Sequence, residues 1–497
     1  MHRVSLVLVI FGVALTSTAY GQANQAPVRG EKPILINRMM VDIRILCSQN
    51  FQGRQAGTNG GDKSARFVAE RFETLGLTPV VQKNESPSQK QWGQYSSLSA
   101  TKVLFPTLVN IFPIQTQKEA TSASLHVGKD YLPMFDSPAV NLTLPIVFVG
   151  YGISDPAQSM DDYYAVNVKN RIALFLRGKP PVYSQWITHE EKVQTAQEKG
   201  AAAFLTVTGP LLSRYEARKG LEQIPLALYS STPENRPIPG AWLSGTSLDQ
   251  QLATIHESLD SLQRQANENP GQVSRPLSLL AHLSWESRQK PGALINVLGL
   301  IPGEDPILGE ELILIGAHRD HFGEQVGMLF PGADDNASGT AVITEIARRI
   351  IEEDRKPKRS ILFVSFDGEE RGLLGSKHYV RNPVWPLKKT VAMINLDHVG
   401  VGNGNLTVGV TRLDKSIVQQ AAVPVGLAGK INVYGYFPGG DHVPFFESEV
   451  PTITVVSAGV HPNFHQPSDT PDTINPDVLK TAASFTLSLL NILANPS

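Results

Sequence analysis

Four apolar segments of the chain each lead into a loop that carries acidic or imidazole side chains. The segments are ELILIGA at 311–317, SILFVSF at 360–366, TVAMINL at 390–396 and PTITVV at 451–456. Their length and their Ile, Leu, Val and Phe content are typical of buried strands. The polar residues that follow them are His318, Asp320 and His321; Asp367, Glu369 and Glu370; Asp397 and His398; and His461 and His465. Because ligands in open α/β sheets collect at the carboxyl ends of strands, we expect these side chains to lie together.

A glycine-rich loop after the first strand adds Asp334, Asp335 and Asn336 to this group. A segment from Ser338 to about Glu353 follows, and its apolar residues recur with helical spacing. Taken singly, such a loop is often only a helix N-cap, and a Gly-Glu-Glu sequence after a strand is often a solvated turn. Crowded carboxylates and imidazoles, however, are costly to bury unless a cation or a proton offsets their charge. The combination therefore predicts a metal site.

The ligand types restrict the metal. Cys47 is the only cysteine, which excludes an intrachain disulfide and a zinc–thiolate site and leaves Cys47 as a small buried apolar residue. Imidazole and carboxylate ligands suit zinc, with manganese, cobalt and iron as alternatives. Two ions need a balanced set of ligands with one bridging carboxylate, and five groups supply it: His318, Asp335, Glu370, Asp397 and His465.

Two ions about 3.5–4 Å apart can share a water, lower its pKa and stabilise a developing oxyanion. Glu369 adjoins Glu370 and is placed to act as general base. Asp320 is placed to accept the second ring N–H of His318 and so to set its tautomer. His321, His398 and His461 are not assigned as ligands.

The N-terminus and the composition indicate an exported, soluble protein. A short basic start, an apolar run and small residues at Ala19 and Gly21 predict a signal peptide, residues 1–21, with a membrane anchor as the alternative. We expect no later segment to cross a bilayer, so the mature chain would be periplasmic or secreted. The 497 residues allow two or three domains, and the net charge of −2 gives no electrostatic reason to expect nucleic acid as a partner.

Five blocks of this sequence resemble those of the co-catalytic zinc aminopeptidase family, which also contains glutamate carboxypeptidase and relatives of glutaminyl cyclase. The blocks are GAHRDHFG, PGADDNASGTA, SFDGEERGLLGS, INLDHVG and NFHQPSDT, within residues 290–495. The segment 46–77 resembles the N-terminal part of that family, and residues 135–285 resemble its inserted protease-associated domain.

The resemblance implies an α/β fold with a mixed, mostly parallel sheet flanked by helices and a β-rich insert. It divides the chain into a signal peptide (1–21), the first part of the peptidase domain (30–134), the insert (135–285) and the catalytic zinc peptidase domain (286–497).

Residue by residue, the resemblance makes the same five groups the ligands of two zinc ions per chain, with Asp335 bridging. It makes Glu369 the general base, and Asp320 the partner of His318. Phe464 is a departure, because many members have a tyrosine there whose hydroxyl helps to hold the oxyanion. The candidates to replace that hydroxyl are Tyr434, Tyr436 and His442. Arg319 is a second departure, since aromatic residues are common at that position.

These observations favour a metallo-exopeptidase that hydrolyses the N-terminal peptide bond of a peptide by a two-zinc-activated water. A carboxypeptidase of the same family is the alternative within this chemistry, and it needs a basic group for the substrate carboxylate. Of the basic residues near the blocks, Arg371 and Lys377 are expected on a helix that leads away, and Arg319 is expected to point opposite to His318. A binuclear metallophosphoesterase and a non-catalytic binding protein are the remaining alternatives.

Overall fold

The computed structural model describes residues 33–80, 92–114, 125–213, 217, 224–231, 235, 237–353 and 356–496. The predicted signal peptide, 1–21, lies outside the described residues. The strands are β1 Thr78–Pro79, β2 Gly93–Pro113, β3 Tyr131–Pro133, β4 Val140–Phe148, β5 Ser154–Asp155, β6 Met160–Asp161, β7 Ile172–Leu176, β8 Ala203–Val207, β9 Gly240–Leu243, β10 Arg275–Ile301, β11 Leu312–His318, β12 Gly323–Gln325, β13 Met328–Phe330, β14 Ser360–Phe366, β15 Thr390–Leu396, β16 Leu406–Thr411, β17 Ile431–Tyr434 and β18 Thr452–Ser457.

The α-helices are Ile36–Leu46, Asn59–Leu75, His189–Glu198, Gly245–Ala253, Leu259–Glu268, Ser338–Ile351, Leu374–Arg381, Ser416–Ala422, His442–Glu447 and Pro476–Ala494. Shorter helical turns are Gln49–Arg54, Pro156–Gln158, Leu308–Glu310, Ala333–Ala337, Leu387–Lys389 and Pro471–Thr473. The four strands expected before the polar residues are β11, β14, β15 and β18, each within one residue of its predicted bounds.

A single mixed sheet contains most of the strands, in the order β17-β16-β18-β15-β11-β14-β10-β4-β7-β8-β9-β3, with β1 and β2 also paired to β10. The four strands that precede the polar residues, β11, β14, β15 and β18, are neighbours and run parallel. Their carboxyl ends therefore lie at one edge of the sheet, which is the edge at which ligands bind in such folds. The predicted fold class, a mostly parallel α/β sheet flanked by helices, is confirmed.

The long strand β10 joins two halves of this sheet. Its last residues, Val297–Ile301, pair with β14, whereas its first half, Arg275–Trp285, pairs with β4. Beyond β4, the strands β7, β8 and β9 continue in parallel. These strands lie within the predicted insert, 135–285, although β3 precedes that boundary and pairs with β9. The domain boundaries remain a prediction.

Helices pack against the half of the sheet that contains β11, β14, β15 and β18. The local sequence determines where these helices begin and end. Helix Asn59–Leu75 begins after Thr58, whose side chain accepts from the N–H of Gly61, and ends at Gly76 with φ 81°. That left-handed conformation favours glycine. Cys47 is buried at the end of the first helix, as predicted, and burial raises the pKa of its thiol to about 11.

Helix Pro476–Ala494 is long and apolar enough to cross a membrane by length and composition alone, which the sequence analysis did not anticipate. Eleven of its residues are buried against the rest of the protein, among them Phe485 and Leu489. This burial is typical of the core helix of a globular domain.

Candidate metal centre

One carboxylate, Asp335, lies between two pairs of an imidazole and an acid. Its Oδ1 is 3.3 Å from Nε2 of His318, and its Oδ2 is 3.1 Å from Nε2 of His465. On the first side, Oδ1 of Asp397 is 3.3 Å from Nε2 of His318. On the second side, Oε2 of Glu370 is 3.4 Å from Nε2 of His465. The five predicted ligands thus form two sets of donors that share Asp335.

The chemistry of these donors fits two zinc ions. Each set contains an imidazole nitrogen and carboxylate oxygens, which are ligands that zinc prefers. Oδ2 of Asp335 is buried and has no hydrogen-bond partner among the described residues. An acceptor of this kind is costly to bury unless a cation or a donor completes it.

Imidazoles offset only part of the negative charge of the acids in the site. Burial by itself would raise the pKa of Asp335, but His398, His318 and His465 hold it well below the usual value. Burial raises the pKa of Glu370, and the carboxylates of Asp335 and Glu369 add to that rise. The surplus of buried negative charge is the setting in which divalent cations bind.

The loop that carries Asp335 is held from two sides. The carboxylate of Asp469 accepts the backbone N–H groups of Asp334 at 2.9 Å and of Asp335 at 3.1 Å. Arg54, fully buried, donates to the carbonyl oxygens of Pro331 at 2.6 Å and Gly332 at 2.7 Å. Sequence analysis did not identify these two supports, because they lie 134 and 277 residues away from their partners.

Glu369 lies at the edge of the metal centre. Its Oε2 is 4.0 Å from Nε2 of His318, and 15% of its side chain remains exposed. Burial raises its pKa well above the usual value; His318 opposes this rise, while Asp397, Asp441 and Asp335 reinforce it. A carboxylate with a raised pKa holds a proton more readily, which suits a general base that must also act as an acid.

Asp320 contacts the site through two different groups. Its backbone carbonyl oxygen lies 3.2 Å from Nδ1 of His318, whereas its carboxylate is farther away, at 3.7 Å. The carboxylate instead accepts the N–H groups of Glu369 at 3.1 Å and Glu370 at 3.3 Å. Asp320 therefore orients His318 with its main chain and the Glu369–Glu370 turn with its side chain.

The three histidines that were not assigned as ligands also lie against the acids. Nδ1 of His321 is 2.7 Å from Oε1 of Glu370. Nδ1 of His461 is 2.6 Å from Oδ2 of Asp334, and Nδ1 of His398 is 3.5 Å from the same atom. Their place after strand ends was visible in the sequence, but the atoms they contact depend on the packing of three loops.

The predicted insert reaches the last ligand. Nδ1 of His465 lies 2.9 Å from the carbonyl oxygen of Ala227, and the N–H of Ala227 donates to the carbonyl oxygen of His465 at 3.1 Å. The side chain of Gln466 donates to the carbonyl oxygen of Pro225 at 2.9 Å. The segment 224–231 is thus part of the wall around the metal centre, which the sequence analysis did not foresee.

A pocket lies beside Glu369, and apolar residues form part of its wall. Its lining beyond the metal centre includes Phe437, Pro438, Val456 and Phe464. The Phe464 ring stacks on the ring of His465, with 3.6 Å between centroids. This pocket can hold an apolar side chain next to the acids.

The three candidates to replace the tyrosine hydroxyl absent at Phe464 do not point into this pocket as donors. Tyr434 is 51% exposed and Tyr436 46% exposed, and neither lines the pocket. Nε2 of His442 is 2.7 Å from the carbonyl oxygen of Phe437. If that nitrogen carries the proton of the neutral ring, Nδ1 has a lone pair and no proton to donate. The structure therefore provides no support for any of the three as oxyanion donor.

A second cleft begins at Glu370 and is bounded on its far side by residues of helix His189–Glu198 and by Tyr229, Ser230 and Ser231. Arg371 and Lys377 line it, together with Tyr229 and Ser231. The expectation that Arg371 leads away from the site is wrong, because the helix begins only at Leu374 and Arg371 precedes it, buried in the cleft wall. Arg319 does point away from the cluster, as expected.

Arg319 is fully buried and forms an ion pair with Asp367 at 3.1 Å. It also donates to the carbonyl oxygens of Ile295 and Ser365. It supports the sheet beneath the site and is not available to a substrate.

Fold and site together define an α/β protein with a candidate metal centre made of two sets of donors. Residues 296–490 match the model of peptidase family M28. Aminopeptidase YwaD from Bacillus subtilis is 25% identical over 449 residues, which are 88% of this chain and 80% of that protein. The probable glutamate carboxypeptidase VP8 from Zea mays is 29% identical over 217 residues, 39% of this chain and 29% of that protein.

Among solved structures, BSAP, a zinc aminopeptidase from Bacillus subtilis, has the same fold, with a TM-score of 0.61 and 20% identity over 93% of this chain and 96% of that chain. The predicted family, and with it the class of hydrolase, a peptidase, are confirmed.

Proposed function

We propose that the protein is an exported, zinc-dependent aminopeptidase that removes the N-terminal residue of peptides. The observation that carries this proposal is the position of Asp335 between His318 and His465, each paired with one further acid. His318, Asp335, Glu370, Asp397 and His465 would hold two zinc ions per chain. When bound, such ions would supply Lewis acidity and a water of lowered pKa.

Glu369 moves the proton in this proposal. It adjoins the ligand Glu370 but lies 4.0 Å from His318, at the open edge of the cluster. Its carboxylate can accept a proton from the attacking water and return it to the leaving amine. Asp320 is a positioning residue, because its carboxylate accepts the N–H groups of Glu369 and Glu370.

The pocket beside Glu369 favours an N-terminal substrate end. Its described lining contains three acids besides Asp335 and no lysine or arginine. Acids stabilise a substrate ammonium, whereas the described lining has no lysine or arginine to bind a substrate carboxylate. Phe437, Val456 and Phe464 provide an apolar surface for the first side chain. The similarity to aminopeptidase YwaD over most of both chains supports the same direction of attack.

A carboxypeptidase of the same family is the second candidate. It is favoured by Arg371, a buried cation in the cleft on the other side of Glu370. The similarity to a probable glutamate carboxypeptidase agrees with it over a smaller part of the chain. The match to a peptidase family gives no support to a metallophosphoesterase.

Matched substrates separate the two candidates. We expect hydrolysis of leucyl-p-nitroanilide and of Leu-Gly-Gly, and little action on N-acetyl-Leu-Gly-Gly. Release of C-terminal residues from N-acetylated peptides, with free-amine substrates untouched, would establish the carboxypeptidase. N-terminal sequencing of the protein from the periplasm or medium tests export, with a start after Gly21 as the expected result.

A further inference from the structure

Arg371 is a buried cation whose polar atoms are incompletely satisfied. Its side chain is 8% exposed, and its Cζ lies 4.3 Å from the centre of the Tyr229 ring. Both Nε and Nη1 are buried without a hydrogen-bond partner among the described residues. A guanidinium carries five N–H donors and stays charged at all relevant pH values. Such a group is costly to bury unless an anion completes it.

Two other buried arginines have a structural role, and their donors are satisfied within the protein. Arg54 donates to four backbone carbonyl oxygens, those of Leu46, Arg319, Pro331 and Gly332. Arg319 pairs with Asp367 and donates to backbone carbonyl groups as well. Arg371 forms no ion pair with any described residue. Its charge is therefore not neutralised within the protein as that of Arg319 is.

Three of the acids around Arg371 are engaged with other partners. Asp136 lines a neighbouring pocket together with Arg371, and it accepts hydrogen bonds from both the N–H and the hydroxyl of Ser230 and of Ser231. Glu370 faces His465 and His321. Glu191, on the far wall, accepts the backbone N–H of Thr188 at 2.6 Å. None of these three acids forms an ion pair with the Arg371 guanidinium.

The cleft connects this cation to the metal centre. Glu370 lines both the cleft and the apolar pocket, so the two spaces meet at a proposed metal ligand. A peptide whose first side chain occupies the pocket would continue past Glu370 toward Arg371. Stacking on Tyr229 holds the guanidinium plane, which prepares it for the two parallel hydrogen bonds that a carboxylate accepts.

We propose that Arg371 binds a substrate carboxylate on the leaving-group side of the scissile bond. The carboxylate is either the C-terminus of a short peptide or an acidic side chain. This inference rests on the proposed aminopeptidase function and adds a substrate class to it, namely short or acidic peptides. It also gives the segment that carries Tyr229 a part in substrate recognition.

Substrate pairs with the same N-terminal residue test the inference. Leu-Gly and Leu-Gly-NH2 differ only in the terminal carboxylate, and Leu-Glu-NH2 and Leu-Gln-NH2 only in the side-chain charge. We expect kcat/KM of the native protein to favour the anionic member of at least one pair by about 10- to 100-fold, since hydrogen bonds to charged groups contribute to that extent. The pair that responds identifies the source of the carboxylate.

Arg371→Gln should remove that preference while kcat/KM for the neutral member changes less than about threefold. Arg371→Lys keeps the charge without the planar fork and should retain part of the preference. Arg381→Gln is the matched control, because it removes one exposed positive charge from the end of the same segment. Melting temperature and zinc content establish that each variant is folded and loaded.

A ratio near one for both pairs in the native protein would overturn the inference without any variant. A preference that survives in Arg371→Gln, or that falls equally in Arg381→Gln, would overturn it as well. If the proposed aminopeptidase function were wrong, no substrate with a free amine would be hydrolysed, including leucyl-p-nitroanilide. That result is distinct from hydrolysis without a preference for the anionic substrates.

Discussion

His465 and Ala227 are joined by two reciprocal hydrogen bonds. Nδ1 of the histidine lies 2.9 Å from the carbonyl oxygen of Ala227, and the N–H of Ala227 donates to the carbonyl oxygen of His465 at 3.1 Å. If Nδ1 carries the proton, as this contact favours, the lone pair of Nε2 faces Asp335 and Glu370. A carbonyl partner of this kind fixes the tautomer and the orientation of a ligating imidazole. The conformation of a proposed zinc ligand thus depends on a segment 238 residues earlier.

Gln466→Ala tests this dependence. The Gln466 side chain donates to the carbonyl oxygen of Pro225 and holds the same segment beside His465. We expect the variant to fold with little change in melting temperature but to bind zinc about 10-fold less tightly, as is common when support of a ligand is lost. Competition with a chelator measures the affinity. Gln420→Ala, on an exposed helix face, is the control, and equal losses in both variants would contradict the prediction.

Glu369 and Glu370 should respond differently to the same substitution. Glu369→Gln removes the proposed base, and we expect kcat to fall by about 10²–10⁴ while both ions stay bound. Glu370→Gln removes a ligand and should release metal. Steady-state kinetics and elemental analysis of each variant measure the two effects. A fall in metal content in both would show that the division between base and ligand is wrong.

The number of ions per chain is a third prediction. Five ligands around one shared carboxylate predict two zinc ions, since a single tetrahedral ion needs fewer. Elemental analysis should return two, and chelation should abolish activity and lower the melting temperature. A ligand present at 1,000 times its Kd stabilises the folded state by about 4 kcal/mol. One tightly bound ion with full activity would favour a single-metal site like that of a cyclase.

Phe464→Tyr addresses the absent hydroxyl. The Phe464 ring lines the pocket and stacks on His465, so the added hydroxyl would lie at the site. We expect kcat to stay within about threefold or to rise slightly. Tyr434→Phe and Tyr436→Phe should leave kcat unchanged, because both tyrosines are exposed outside the pocket. Loss of about 10²–10³ in either would identify an oxyanion donor instead.

Cys47 provides a probe of unfolding. Burial raises the pKa of its thiol to about 11, so at pH 8 about one molecule in a thousand carries the reactive thiolate. We expect no modification by a thiol reagent at pH 8 in the folded protein and full modification in denaturant. The thiolate fraction grows as pH rises toward 11. Rapid reaction of the folded protein at pH 8 would contradict this burial.

The strands and the grouping of the proposed ligands were predictable from the sequence because their signals are local. Each strand is a short apolar run, and β11, β14, β15 and β18 begin and end within one residue of expectation. His318, Glu370 and Asp397 lie within four residues of a strand end, whereas Asp335 and His465 lie farther along the loops after β11 and β18. Parallel strands place their carboxyl ends at one edge. Local pattern and this one topological rule were enough to bring His318, Asp335, Glu370, Asp397 and His465 into one group.

Contacts between distant segments were decided only by the tertiary structure. The partner of His465 is 238 residues away, and Arg54 lies 277 residues from Pro331. Arg371 follows Glu370 directly, yet whether its side chain faces solvent or the cleft depends on a turn before Leu374 and on the approach of Tyr229. Local periodicity contains no information on such packing, because each contact depends on how two separately formed surfaces meet.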